Sequence, residues 1–151
     1  MQKNLEIDET IFQNMVKFYG EIYNLPPLSA KIYAYLYFDF ERKGLTFDEL
    51  VDDFCASKSS ISTSLQHLMN AKLINDISKI DERKRYFLIN CDYVKIRFEN
   101  IVSKLSREIQ IIEDLEQFRR KKSIEPCGKL DVYRSLLERS TKDIQETINI
   151  L

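Results

Sequence analysis

The segment at residues 57–72 combines short hydroxyl and amide side chains with a complete lack of acidic residues. No Asp or Glu lies between Phe54 and Asn75, although the chain of 151 residues carries 24 acids. Wound as a helix with about 3.6 residues per turn, the segment has an apolar side and an uncharged polar side. The polar side consists of Ser59, Ser62, Thr63, Gln66 and Asn70. Hydroxyls and amides bind phosphates and base edges, whereas carboxylates repel phosphates, so this pattern is typical of a helix that approaches a nucleic acid.

The start of this helix has its own anion-binding chemistry. Ser57 is predicted to cap the helix, whose first turn directs unpaired N–H groups and a positive dipole end outwards, and Lys58 adds a charge there. Serine is a mediocre helix former, so its concentration here favours a contact role over the alternative of a solvent-exposed helix that is merely serine-rich. The residues predicted to contact nucleic acid are Ser57, Lys58, Ser59, Ser60, Ser62, Thr63, Gln66, His67 and Asn70.

A basic β-hairpin is predicted to follow this helix. Residues 73–80 and 85–90 are β-like runs, and the charged residues between them form the predicted tip. The bases predicted to reach a minor groove or the adjacent phosphates are Lys79, Arg83, Lys84 and Arg85. Asp81 is predicted to hold one of the arginines in place. The alternative is an ordinary solvated turn in which the acids only pair with their neighbours.

Caps and breaks divide the rest of the chain into helices. Asp8 and Ser29 each begin a helix, and Thr46 with Glu49 forms a capping box that begins a short one. Lys43 followed by Gly44 is predicted to close the second helix. The predicted helices cover residues 8–24, 29–43, 46–54, 57–72, 92–122 and 130–151.

This order of elements predicts a mainly α (α+β) chain, a winged helix-turn-helix with N- and C-terminal dimerisation helices. The predicted regions are an N-terminal dimerisation helix at residues 1–24, a winged helix DNA-binding domain at 25–91 and a C-terminal helical dimerisation region at 92–151. The alternative is a helical bundle with an incidental hairpin.

Composition limits the class of protein. Hydrophobic residues make up 44% and charged residues 31% of the chain, which is typical of a globular protein with amphipathic helices. The net charge of −1 excludes a polybasic binder, but residues 54–90 carry six bases and three acids, which leaves +3 there and −4 in the remainder. A basic patch on an acidic body fits a DNA-binding module better than a membrane binder.

Several kinds of site are excluded by the residue types. Three cysteines spaced 36 residues apart and a single His form no zinc site, and an odd number of cysteines favours a reducing cytoplasm over a disulfide framework. No acid and base pair, nucleophile or phosphate-binding glycine loop can be assembled, so we predict no catalysis, cofactor or metal. Without a signal or membrane-spanning stretch, a cytoplasmic location with no membrane contact is expected.

The predicted helix at residues 92–122 is apolar most of the way round, which is unfavourable for a helix that stands alone. With the first and last helices it is predicted to form the interface of an intertwined homodimer, because symmetric DNA sites are usually bound by two-fold dimers. The predicted interface residues are Ile11, Met15, Phe18, Ile101, Leu105, Ile112, Leu115, Leu137, Ile144 and Ile148. An intramolecular three-helix bundle is the alternative.

Aromatic residues are concentrated around the junction of the first two helices. Four of them are predicted to line a pocket for a small-molecule effector, because aromatic faces bind small cations. These four are Tyr19, Tyr23, Tyr33 and Tyr37. The alternative, which the pattern favours, is that the rings only form part of the core.

Four segments of the chain resemble the MarR family of dimeric transcriptional regulators. They are residues 45–50, 57–65, 68–74 and 81–87, within a resemblance that spans about residues 25–90. Residues 25–85 are particularly similar to the GbsR-like branch, which shares the Ser-Lys-x-Ser-x-Ser start of the helix and an arginine-bearing wing. The wing here is short and lacks glycine, and the helix that precedes residues 57–72 is very acidic because it contains Asp48, Glu49, Asp52 and Asp53. These are two departures from the family pattern.

The resemblance implies a sequence-specific double-stranded DNA-binding transcriptional regulator, most often a repressor. It implies that residues 57–72 lie in the major groove and that the wing at residues 73–90 contacts the flanking minor groove or backbone, with the Asp-x-Arg motif of the family on Asp81 and Arg83. GbsR-like regulators are associated with choline-type ligands, which implies a similar effector. The alternative is a winged-helix adaptor that binds another protein and not DNA, and the salt dependence of binding to duplex DNA separates the two.

Overall fold

The computed structural model describes residues 3–151 and divides into two compact units, one that ends at Cys91 and one that runs from Asp92 to Leu151. The first unit contains α1 (Glu9–Ile22), α2 (Pro27–Leu36), β1 (Leu45–Thr46), α3 (Phe47–Phe54), α4 (Lys58–Asn70), β2 (Ile74–Ser78) and β3 (Arg85–Ile89). The second unit contains α5 (Tyr93–Lys121) and α6 (Gly128–Ile148).

α1 and α3 begin at side-chain caps that the sequence predicts. α2 begins at Pro27 with no side-chain cap, so the prediction that Ser29 begins this helix is wrong. Proline suits the first helical position because the amide there has no partner inside the helix. Asp8 accepts a hydrogen bond from the Ile11 amide at 2.9 Å, at the start of α1. Thr46 accepts from the Glu49 amide at 3.2 Å while the Glu49 carboxylate accepts from the Thr46 amide at 2.7 Å, so the capping box of α3 forms in full. These bonds satisfy amides that have no partner inside the helix, which fixes where each helix begins.

The second helix ends earlier than the sequence predicts. α2 stops at Leu36 and turns lead from there to β1, so the prediction of a helix up to Lys43 is wrong. The Asp39 carboxylate closes these turns by accepting hydrogen bonds from the amides of Lys43 at 3.1 Å and Gly44 at 2.8 Å. Gly44 has a φ of +77°, and a Cβ there would lie 2.8 Å from the Cβ of Tyr86. Glycine is therefore required here because the backbone has a positive φ and passes close to β3, and it does not mark the end of a helix.

A three-stranded antiparallel sheet has the order β1–β3–β2. β2 and β3 form the predicted hairpin, with Ile74 opposite Ile89 at its base. β1, which the sequence analysis did not predict, pairs Leu45 with Phe87 on β3. A strand of two residues is too short to show a periodicity, and only its pairing makes it visible.

The core of the first unit lies between its helices and the sheet. Its fully buried side chains include Ile32, Tyr33, Leu50, Ile61, Leu68, Leu73 and Ile74. Burial of an apolar side chain of this size contributes about 1.5–3 kcal/mol, so the core holds α4 firmly by its apolar side. The succession of α3, tight turn, α4 and hairpin is a winged helix-turn-helix, and the predicted mainly α fold is confirmed.

The second unit is a pair of helices that pack against each other. Tyr133 of α6 donates to Glu108 of α5 at 2.5 Å, which explains why an acid interrupts the apolar positions of α5. Arg134 and Glu116 form a largely buried ion pair at 2.8 Å between the same helices. Across residues 3–151, no helix has both the length and the apolar character needed to cross a membrane.

Candidate nucleic-acid interface

The direction of α4 is set by the turn that precedes it. Cys55 ends α3 in the left-handed region, with φ 49° and ψ 36°, and Ser57 then caps α4. The Ser57 hydroxyl accepts a hydrogen bond from the Ser60 amide at 3.2 Å and donates to the Ser60 hydroxyl at 2.8 Å. The Ser59 hydroxyl lies 3.2 Å from that of Ser57, so three hydroxyls cluster at the positive end of the helix.

α4 has one buried side and one exposed side. Its buried side chains are Ile61, Ser64, Leu65 and Leu68. Its exposed side chains are Lys58, Ser59, Ser60, Ser62, Thr63, Gln66, His67 and Asn70. Every residue of α4 that the sequence predicts to contact nucleic acid is therefore accessible, and no acid lies among them.

Two amides on the exposed side of α4 bind each other. Gln66 Nε2 donates to Asn70 Oδ1 at 2.9 Å, across one turn of the helix. A bidentate contact with adenine uses both the amide nitrogen and the amide oxygen of a glutamine. Such a contact would exchange the bond to Asn70 for two bonds to a base.

Two of the four acids of α3 have internal roles. Glu49 belongs to the capping box and Asp53 is buried, whereas Asp48 and Asp52 are exposed. Two of the acids next to α4, Glu49 and Asp53, therefore stabilise the fold, and the buried Asp53 presents no charge to the surface.

The Asp53 carboxylate joins three parts of the first unit. It accepts hydrogen bonds from the Tyr35 hydroxyl of α2 at 2.5 Å and from the Asn4 side-chain amide at 2.9 Å. The Leu5 amide in turn donates to the Tyr35 hydroxyl at 3.0 Å. Burial and the bond to Asp53 raise the pKa of Tyr35, which stays protonated as the donor. The network fixes the C-terminal end of α3, directly before α4 begins. Sequence reasoning missed it, because partners so far apart in the chain leave no local signal.

Asp76 holds the arginine at the end of β3 that adjoins the tip of the wing. Arg85 Nε donates to Asp76 at 2.8 Å, and Arg85 Nη2 lies 3.7 Å from Met69 Sδ on α4. Asp81 stands at the tip with a φ of 69° and, within the described part of the chain, has no bond to Arg83. The orienting role of Asp81 stays a prediction, while that of Asp76 was missed, since only the register of the hairpin brings it diagonally across from Arg85.

A second base of the wing lies on an aromatic ring. Lys79 Nζ is 3.8 Å from the centroid of the Tyr86 ring. The Tyr86 hydroxyl donates to Glu82, and this bond raises the pKa of Tyr86, so the ring carries no charge of its own. Lys79 therefore already has a favourable internal contact.

Three of the predicted contact bases have neither an ion pair nor an aromatic partner within residues 3–151. They are Lys58, Arg83 and Lys84, and all three are exposed. An exposed unpaired base gives up no internal partner when it meets a phosphate, whereas Arg85 would have to leave Asp76. The tip of the wing and the start of α4 thus carry the readily available positive charge.

The four tyrosines predicted to line an effector pocket come together between α1 and α2. Tyr19 stacks on Tyr23 and Tyr37 with centroids 5.7 and 5.5 Å apart, and it meets the edge of Tyr33 at 5.1 Å. The hydroxyls of Tyr33 and Tyr37 lie 3.0 Å apart. Rings at these separations touch one another, so a ligand between them requires the rings to move apart. Effector binding by these residues stays a prediction.

The predicted dimer residues divide by exposure. The buried ones are Ile112, Leu137 and Ile148, and the exposed ones are Ile11, Phe18 and Leu115. The half-buried ones are Met15, Ile101, Leu105 and Ile144. Further exposed apolar residues on the same helices, which the sequence analysis did not include, are Ile22, Val94, Ile111, Phe118, Val132 and Leu136. So many exposed apolar side chains are unusual on a helix surface that faces only water.

No group of three or more side chains able to hold a metal ion is found among the described residues. The three cysteines Cys55, Cys91 and Cys127 are exposed and unlinked by disulfides.

Comparison with known proteins finds similarity in structure. No protein-family model and no curated protein matches the chain. A solved structure described as a transcriptional regulator aligns with a TM-score of 0.54 and 17% identity, over 93% of this chain and 94% of that one. An S. aureus MepR–DNA complex aligns with a TM-score of 0.46 and 17% identity, over 72% and 90% of the chains. MarR itself gives a TM-score of 0.41 and 17% identity, over 91% and 93%.

At this identity the first of these likenesses concerns the fold alone. The chain therefore has a winged helix-turn-helix fold, as the sequence predicts, and shares it with a solved transcriptional regulator.

Proposed function

We propose that the protein is a sequence-specific double-stranded DNA-binding transcriptional regulator that acts as a repressor. The observation that carries the proposal is the exposed, acid-free side of α4 within a winged helix-turn-helix. In this proposal α4 lies in the major groove, where its hydroxyls and amides meet base edges, and the wing reaches the flanking minor groove or backbone. The resemblance of residues 25–90 to the MarR family and its GbsR-like branch supports the same function.

The distribution of charge supports contact with phosphates. Ser57, Ser59 and Ser60 present hydroxyls at the positive end of α4, where anions bind helices best. Lys58 stands beside them without an ion pair within residues 3–151. The same stretch of chain contains no acid, so no carboxylate of α4 itself opposes a phosphate backbone.

The proposal is tested by selecting bound fragments from genomic DNA and measuring their affinity at several salt concentrations. We expect a small set of enriched fragments, bound with an affinity that falls steeply with salt because phosphate contacts release counterions. If no fragment is enriched, or if binding is insensitive to salt, the protein is not a DNA-binding regulator and the adaptor function takes its place.

We further propose that two copies join through their terminal helices. The exposed fraction of Phe18 is 51%, that of Phe118 is 56% and that of Leu136 is 51%, which is costly for apolar side chains left in water. A two-fold dimer would cover such surfaces and place two copies of α4 on a symmetric DNA site.

Sedimentation at micromolar concentration tests this assembly. Leu105→Glu places a charge at the proposed interface, and we expect it to shift the protein to monomers and to lower its thermal stability. Ser106→Glu adds the same charge at the neighbouring position, which is exposed, and this variant should remain a dimer. A folded wild-type monomer, or equal behaviour of the two variants, would contradict the proposal.

A further inference from the structure

A cavity of about 600 Å³ lies in the first unit, on the N-terminal segment, the connection between α2 and β1, and the part of the wing next to its tip. Of all the residues predicted to contact DNA or an effector, only Lys79 lines it. The cavity is therefore separate from the tyrosine cluster of α1 and α2 and from the exposed side of α4.

The lining of the cavity is negatively charged. Its acids are Glu6, Asp39, Glu41 and Glu49, and its bases are Lys43 and Lys79. Lys43 is neutralised by an ion pair with Glu41, which lowers the pKa of that carboxyl. Within residues 3–151, the hydrogen bonds that Asp39 and Glu49 accept come from backbone amides, and Asp39 also interacts electrostatically with Lys43. Four acids against two bases leave the lining with an excess of negative charge. A ligand of the cavity should therefore carry positive charge.

Aromatic faces line the same cavity. Phe40 has an exposed fraction of 82% and meets Phe38 edge-on with centroids 6.1 Å apart. The Tyr86 ring carries the Lys79 ammonium at 3.8 Å, so the protein already places a cation of its own on this lining. An exposed aromatic ring beside carboxylates is the environment that favours cation–π binding of a ligand.

We propose that this cavity binds a small organic cation, a protonated amine with an apolar body, which takes the place of Lys79 on the Tyr86 ring. Lys79 lies between β2 and the tip of the wing, so its displacement returns a free positive charge to the wing. The binding itself requires no DNA. Only the consequence for the wing depends on the proposed function.

Isothermal titration calorimetry of the full chain with three one-ring compounds tests the proposal. Benzylammonium, benzyl alcohol and benzoate share one ring and differ in charge. We expect benzylammonium to bind about tenfold more tightly than benzyl alcohol, and benzoate to bind most weakly. Equal affinities, a preference for benzoate, or no binding of any of the three would overturn the proposal.

Two wing variants locate the ligand on the Tyr86 ring. Lys79→Met removes the internal competitor, and we expect the affinity for benzylammonium to rise about fivefold. Lys84→Met removes the same charge from the same hairpin but does not touch the cavity, so its affinity should stay close to that of the wild type. Equal gains in the two variants would show a general effect of net charge and overturn the displacement of Lys79. Because these titrations contain no DNA, a negative result would overturn the cation-binding proposal but would not bear on the proposed DNA-binding function.

Discussion

The two helices of the helix-turn-helix use their polar side chains in opposite ways. In α3, the Glu49 carboxylate binds the backbone as a cap, and Asp53 turns inwards to bind Tyr35. In α4, hydroxyls and amides of comparable size point outwards, and apart from the capping serines and the pair of Gln66 with Asn70 they form few internal bonds. The difference teaches that a polar residue with internal partners serves folding, whereas one left exposed without them is available for binding.

The largest expected effect comes from giving α4 an acid of the kind that α3 carries. Thr63→Glu sets a carboxylate against phosphates, and we expect affinity for specific and non-specific duplexes alike to fall by roughly a thousandfold. Fluorescence anisotropy with a labelled duplex measures the loss. Ser135→Glu, an equal change on exposed α6, should bind normally. Normal binding by Thr63→Glu would show that this side of α4 does not contact DNA. The exposed polar side chains of α4 would then not be the binding surface that we infer from the comparison with α3.

The next effect tests the internal role of an acid in α3. Asp53→Ala leaves the Tyr35 hydroxyl and the Asn4 amide without their acceptor, and we expect the free energy of unfolding to fall by about 3 kcal/mol. Asp52→Ala, at the exposed neighbour, should change it by no more than about 0.5 kcal/mol. Urea denaturation measures both. Similar losses in the two variants would mean that burial does not distinguish the acids of α3.

A smaller and more selective effect is expected at Gln66. Gln66→Ala should lower discrimination at one base pair by about 1–3 kcal/mol while leaving non-specific affinity nearly unchanged. Competition with duplexes changed one base pair at a time measures this preference. Asn70→Ala breaks the same internal bond but keeps the glutamine, so its preference at that base pair should persist. If both variants lose the preference, the preference depends on the hydrogen bond between Gln66 and Asn70 and not on a contact of Gln66 with a base.

The smallest effect is expected from one base of the wing. Arg83→Ala should weaken binding to all duplexes and reduce the salt slope by about one unit if its contact is with phosphate. A larger loss on duplexes with A·T-rich flanks would indicate insertion into a narrow minor groove instead. Arg85→Ala removes a base that Asp76 already holds and should reduce the slope less. An unchanged slope and affinity in Arg83→Ala would remove the tip of the wing from the mechanism.

Features encoded within one turn of chain could be predicted from the sequence. Ser57 and the pair of Thr46 and Glu49 form the expected caps, because a cap involves residues only three positions apart. The apolar side of α4 could be predicted for the same reason, since helical spacing alone places Ile61 and Leu68 together.

Features that depend on distant parts of the chain could not be predicted. The sequence around Gly44 is typical of a helix end. In the structure, however, Gly44 is needed because its backbone lies close to Tyr86, on a strand far along the chain. Asp81 lies nearer in sequence to the wing arginines than Asp76 does, yet the register of the hairpin pairs Arg85 with Asp76. The acid of α3 that joins Asn4 to Tyr35 has no signature either, because such a network exists only after the core has formed.

The pairing of β1 with β3 has a consequence for how the protein folds. Leu45 and Phe87 can meet only when the chain between them, which includes α3, α4 and the wing, has closed into a loop. Closing a long loop costs entropy before any contact is gained, so this step should limit the folding rate. Because the pairing of β1 with β3 closes the segment that contains α3, α4 and the wing, we expect these elements to unfold together as one cooperative unit.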